Sequence, residues 1–131
     1  MAKTEPLTAT IDLGHRFVAI VAHDWDGVAA CFEPGAEFRA VVPSEKRPFR
    51  EFTGGEAAAD QIQKWFGYAD VTELVEGRVE QIADRVRISY HIHEHEPEGW
   101  YDVEQVAFVT PGEAGFEKMN LLCSGFRLVD G

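Results

Sequence analysis

Val86-Arg87-Ile88-Ser89-Tyr90-His91-Ile92-His93 alternates without a break between apolar and polar side chains. A period of two is that of a β-strand with one face in a core and the other outside. Val86, Ile88, Tyr90 and Ile92 therefore face the core, and Arg87, Ser89, His91 and His93 face away from it. The neighbouring segments keep the period. Thr72 to Ile82 reads as a strand with Gly77 as a bulge, joined to the alternating stretch by the tight turn Ala83-Asp84-Arg85. Pro97-Glu98-Gly99 forms the next turn. Asp102 to Thr110 is a strand, Pro111 to Gly115 a loop, and Phe116 to Leu128 one long final strand.

Upstream the period is helical. Leu7, Ile11, Gly14, Phe17, Val18, Val21 and Trp25 recur at spacings of three and four and give one apolar stripe from Leu7 to about His23. Asp24 caps a second, short helix carrying Val28, Cys31 and Phe32, and Pro34-Gly35 stops it. Ala36 to Val42 alternates as a strand, with Phe38, Ala40 and Val42 on one face. Pro43 to Arg50 is a charged loop. Thr53-Gly54-Gly55-Glu56 has capping-box spacing and opens a helix with Ala58, Ile62, Trp65 and Phe66 on one side, ended by Gly67. Helices first and meandering strands last predict an α+β domain with helices on a curved antiparallel sheet.

The chain has 131 residues, which fits one domain (1–131) with a core that needs no disulfide or metal. The net charge of −11 repels phosphate backbones and anionic lipid surfaces, so neither nucleic acid nor membrane is an expected partner. The densest basic stretch, Lys46-Arg47-Pro48-Phe49-Arg50, reads as a solvated loop. Cys31 and Cys123 lack metal or redox spacing and read as buried thiols of a reducing compartment. Met1 to Pro6 has no apolar signal core, and no run reaches the ~18 apolar residues of a membrane span. The expected location is the cytoplasm.

Four local patterns, Asp24-Trp25-Asp26-Gly27-Val28, Thr53-Gly54-Gly55-Glu56-Ala57, Asp84-Arg85-Val86 and Leu121-Leu122-Cys123-Ser124-Gly125-Phe126, stand in the order of the predicted elements. With that order the chain resembles the nuclear transport factor 2-like superfamily, most closely its SnoaL-like branch, over nearly its whole length. The resemblance implies a cone-shaped roll: three N-terminal helices packed on a curved mixed or antiparallel sheet enclosing a pocket, often dimeric through the outer sheet face. Members include isomerases, cyclases, dehydratases, epoxide hydrolases and non-enzymatic assembly proteins, so the fold does not choose a function. Ketosteroid-isomerase relatives carry a base on the first strand, where Ala40 stands here, and a tyrosine on the first helix, where Phe17 stands. Their third polar position, an acid on the penultimate strand, matches Glu104. The epoxide-hydrolase and dehydratase acid sets have no clear match.

Glu104 is therefore the candidate catalytic acid. It shares a strand face with Val106 and Phe108, and if that face lines the cavity, burial disfavours its charge and fits it to donate a proton. The opposite register puts it outside, or against an arginine. Phe17, Trp25, Phe38, Trp65, Tyr90, Val106 and Phe108 are the candidate ligand-binding wall. His91, His93 and His95 have a spacing that metal sites use, but strand parity directs them outward, so no metal is expected there, and no cofactor elsewhere. The expected function is binding of a small apolar ring- or carbonyl-bearing molecule, with or without cofactor-free isomerisation, cyclisation or dehydration. A non-catalytic dimeric interaction module is the alternative, and a homodimer is expected in either case.

Overall fold

The computed structural model describes residues 7–43, 46–47 and 49–130. The N-terminal stretch Met1 to Pro6, parts of the Pro43–Arg50 segment and the last residue lie outside the described residues. Three helices, α1 (Thr8–Ile20), α2 (Trp25–Ala30) and α3 (Gly55–Phe66), pack on a seven-stranded sheet. Its strands are β1 (Phe32–Val41), β2 (Phe49–Thr53), β3 (Val71–Ile82), β4 (Arg85–Glu96), β5 (Gly99–Pro111), β6 (Phe116–Cys123) and β7 (Arg127–Val129). The order is β2-β1-β6-β5-β4-β3, with β7 on β5. β1 and β6 are parallel, and the other pairs are antiparallel. The sheet is thus mixed, open and curved, which agrees with the curved mixed or antiparallel sheet that the resemblance implies.

The helical stripes bury as their spacing requires. Phe17 and Val21 of the first stripe are fully buried, as are Ala58 and Ile62 of α3. Asp24 caps α2 by accepting a hydrogen bond from the Gly27 amide at 3.0 Å. On β4, Val86 and Ile88 are fully buried and Tyr90 and Ile92 nearly so.

Five local expectations need correction. Pro34-Gly35 does not stop α2. The helix ends at Cys31, and the pair lies inside β1, where pairing with β6 slips between Phe32 and Glu37. Phe49 to Thr53 is not loop but an edge strand, its Phe52 packed on Phe38 with rings 5.9 Å apart. Charges on an edge strand guard it against pairing with another chain, and here they also hide it from a pattern reading. The capping box does not form, because Thr53 ends β2 and the cap is Gly54 at φ 92, a conformation that favours glycine. The Gly54 amide is satisfied instead by the Ala36 carbonyl at 2.7 Å. The final segment is two strands. β6 stops at Cys123, and Ser124 to Phe126 carry the chain over to β7. The β3 irregularity falls between Leu74 and Glu76, not at Gly77.

Gly55 shows how tightly α3 seats on α2. A Cβ there would stand 2.4 Å from the Ala29 carbonyl oxygen and 3.1 Å from Phe32 Cβ. Neither can swing away as a side-chain tip could. Gly55→Ala should cost about 1–3 kcal/mol by overpacking, read as a lower urea midpoint at unchanged slope. Gly35→Ala is not the right control, because its positive φ strains alanine by itself; Ala30→Ser, on the exposed side of α2, is, and should move the midpoint far less.

Candidate functional site

Which face of β5 lines the interior is settled by its register with β4. Ile88 pairs with Ala107, Tyr90 with Gln105 and Ile92 with Val103, and directly paired residues lie on one face. Val103, Gln105, Ala107 and Val109 are accordingly buried at 0–1% exposure. Glu104, Val106 and Phe108 occupy the opposite, outer face. The placement of Glu104 in the cone is thereby overturned. Its side chain is 52% exposed and ion-paired to Arg127 at 2.7 Å. Val106 and Glu104 border a shallow outer depression of about 260 Å³, and Phe108 is 36% exposed. β5 is apolar on both faces, so its own sequence does not identify the inner one.

Of the remaining candidates, Phe17, Phe38 and Tyr90 are in the interior, and they are packed side by side. Phe17 lies 6.1 Å from Tyr90, 6.5 Å from Phe32 and 5.9 Å from Phe116 by ring centroids, and Phe38 lies 6.3 Å from Trp65. These rings serve each other as core. Trp25 sits apart from them, half-buried at a surface depression of about 480 Å³ between α2 and α3.

The histidines face outward, as parity predicts, and carboxylates claim them. His93 Nδ1 is 2.7 Å from Asp102 Oδ1 and its ring stacks on Trp100, 4.5 Å and 8° apart. His95 Nδ1 is 2.8 Å from Asp70. His91 Nε2 approaches Asp102 Oδ2 to 3.2 Å, off the line of a hydrogen bond. The His93 hydrogen bond holds Asp102 below the usual carboxylate range. No group of three or more His, Cys, Asp or Glu among the described residues is placed to hold a metal ion.

Inside the sheet the polar groups divide into a satisfied set and an unsatisfied one. The Tyr90 hydroxyl donates to Gln105 Oε1, and Gln105 Nε2 donates to Cys123 Sγ at 3.4 Å. Two positions further along each strand, Ile92 pairs with Val103, and two beyond that Glu94 pairs with Tyr101. Glu94 is 0% exposed, and neither carboxyl oxygen has a hydrogen-bond partner among the described residues. Burial is the main force pushing its pKa up, to about 9. Glu96, on the same face two residues on, adds to this by favouring the protonated form over the ionised one. As a carboxylate Glu94 has no donor among the described residues. Such a group is a functional-site candidate on physical grounds. The reading of Glu104 passed it over, although the parity that turns Ile92 inward turns Glu94 inward too. The other buried side-chain atoms without a hydrogen-bond partner among the described residues are Gln61 Oε1 on α3 and, on the outer face, His91 Nε2.

Burial also raises the Cys31 thiol to about 11, which leaves it protonated and unreactive. Cys123, also buried, accepts from Gln105 and from the Gly125 amide.

No protein-family model matches the sequence, and no curated protein matches it. Solved structures do match. A protein provisionally described as a SnoaL-like polyketide cyclase, from Jannaschia sp. CCS1, is 20% identical and superposes with a TM-score of 0.70, covering 95% of this chain and 92% of that one. A protein provisionally described as an isomerase, from Bacillus subtilis, is 14% identical with a TM-score of 0.72, covering 89% and 87%. A protein of ketosteroid isomerase-like fold from Catenulispora acidiphila, solved with trimethylamine, is 9% identical with a TM-score of 0.66, covering 84% and 83%. At these identities the likeness is one of fold: the chain has the nuclear transport factor 2-like fold that these proteins share.

Proposed function

We propose that this chain is a small-molecule-binding domain that takes a compact, mostly apolar ligand with one polar atom at the β4–β5 end of the cone. The observation that carries the reading is the unpartnered, fully buried carboxyl of Glu94. A ligand atom that met it would relieve a desolvation cost the protein otherwise bears alone. The fold supports the reading, since neighbours of the same fold are described as a cyclase and an isomerase. If turnover occurs, it is cofactor-free proton transfer of the isomerising, cyclising or dehydrating kind. Glu94 then takes the role first assigned to Glu104, because its raised pKa suits a general acid.

A second reading, a non-catalytic module that pairs with itself, is favoured by the outer sheet face. Val106, Leu122, Val41 and Phe49 stand in direct cross-strand register over four strands, next to Phe108. Leu122 and Phe49 are 52% and 54% exposed. Such a stripe is a liability unless covered. Sedimentation at micromolar concentration should give a species of twice 14.6 kDa, and Leu122→Glu should return it to the single mass. A wild-type protein that stays at the single mass rules this reading out.

Glu94 has a direct thermodynamic signature. Its folded pKa, about 9, lies above its unfolded one, so the folded state binds the extra proton between the two. Stability should therefore fall as pH rises through and above the unfolded pKa and level off past about 9. The slope is at most about 1.4 kcal/mol per pH unit. Glu94→Gln should remove that slope and be about 1–3 kcal/mol more stable than wild type at pH near 8. Urea titrations of both proteins across mildly acidic to mildly basic pH measure it. Equal slopes would mean that Glu94 ionises as freely as a surface acid and is no site.

A further inference from the structure

We propose that the polar atom recognised by Glu94 is a basic nitrogen. On this view the ligand is a small organic cation, an amine or quaternary ammonium, held between the carboxyls of Glu94 and Glu96 and the ring of Tyr101. The inference rests on the reading of Glu94 as the ligand site and names what that site takes.

Three acids gather at the β4–β5 hairpin: Glu94 and Glu96 on the inward parity of β4, and Glu98 in the turn. Tyr101 pairs directly with Glu94 across the strands. Its hydroxyl is kept from ionising first by burial and then by the charges of Glu98, Glu96 and Glu94 together, so all three acids act on this one ring. None of the three is paired to an arginine, lysine or histidine of the described residues. Elsewhere on the sheet, several acids have such partners: Glu104 has Arg127, Glu80 has Arg87, Glu37 and Glu51 have Arg39, Asp102 has His91 and His93, and Asp70, just before β3, has His95. The hairpin end is thus acidic and, among the described residues, without its own counter-ion, and Glu94 is its fully buried, unpartnered member. Glu96 and Tyr101, both partly exposed, lie on the same face beside it.

Two ligand chemistries can meet a buried acid. A carbonyl can accept its proton in a hydrogen bond, or a cation can replace the proton. Here Glu94 stands with two further acids, Glu96 and Glu98, and none of the three has a basic partner among the described residues. A neutral carbonyl leaves that concentration of negative charge unanswered, whereas a cation meets it. It takes the place of the proton of Glu94, pairs with both carboxylates, and lies against an aromatic ring suited to it. The exchange balances: a protonated Glu94 and an ammonium ligand give the ion pair, and one proton leaves to solvent.

Release of that proton gives the test. The probes are tetramethylammonium, benzylammonium and benzyltrimethylammonium chlorides, with acetophenone as the neutral ring-and-carbonyl counterpart. Binding is followed by amide shifts of residues 94–101 and by calorimetry in buffers of different ionisation enthalpy. The expected result is that at least one cation binds more tightly than acetophenone, releases about one proton, and gains about tenfold in affinity per pH unit below the folded pKa of Glu94. Glu94→Gln should abolish the pH dependence, and Glu96→Gln should weaken the cation without that loss. The amine assignment falls, and the ligand site stands, if acetophenone binds in a Glu94-dependent way and the cations do not. It also falls if cation affinity is flat with pH or unchanged in Glu94→Gln. If neither class binds, the ligand site and the amine assignment fall together.

Discussion

The parity of β4 is the constraint on which the rest depends. β4 lies between β3 and β5, and partners directly across a ladder share a face. The choice that buries Val86, Ile88, Tyr90 and Ile92 is therefore passed to β3 and β5, and through β5 to β6, β1 and β2. α1 fixes the choice from above. A Cβ on Gly14 would lie 2.9 Å from Val79 Cγ1 and 3.4 Å from Ile88 Cδ1, so the helix rests directly on β3 and β4. A slip of one residue would turn His91 and His93 into the core and Ile92 out of it. That cost keeps one register.

The same parity explains what could be read from the sequence and what could not. The α1 and α3 stripes, the α2 cap at Asp24 and the β4 alternation follow from local chemistry, and they bury as their spacing predicts. β5 is different, because Val106 and Phe108 are as apolar as Val103 and Val109. Only its pairing with β4 tells the faces apart, and pairing is not local. The misassigned Glu104 follows from that one ambiguity. β2 escaped because Arg50 and Glu51 interrupt its apolar signal, although Phe52 is anchored on Phe38. The break after Cys123 escaped because Leu121 to Leu128 stays apolar enough to read as one strand. In each case a pattern that is correct within an element fails where a partner strand makes the decision.

The two faces of β4 and β5 also separate two kinds of electrostatics. Outside, acids and bases are matched. Asp102 stands between His91 and His93, and Glu104 holds Arg127, as one expects of a half-wet surface where ion pairs form cheaply and are worth little. Inside, Tyr90, Gln105 and Cys123 close a neutral hydrogen-bonded row, which a low-dielectric interior tolerates. Glu94 fits neither pattern. It is charged chemistry in the inner environment without the pairing that such chemistry requires.

A protonated Glu94 and a ligand-bound Glu94 are alternative solutions to one problem. The buried carboxyl cannot be ionised alone, so the folded protein must supply a proton, a partner or both. With a proton it is neutral, and the burial that opposes its charge no longer weighs on the fold. With a partner that brings its own charge, the proton is dispensable. Stability against pH and affinity against pH are then two measurements of the same equilibrium. Each pH unit that disfavours the empty protein favours the loaded one, as long as the same two oxygens serve both.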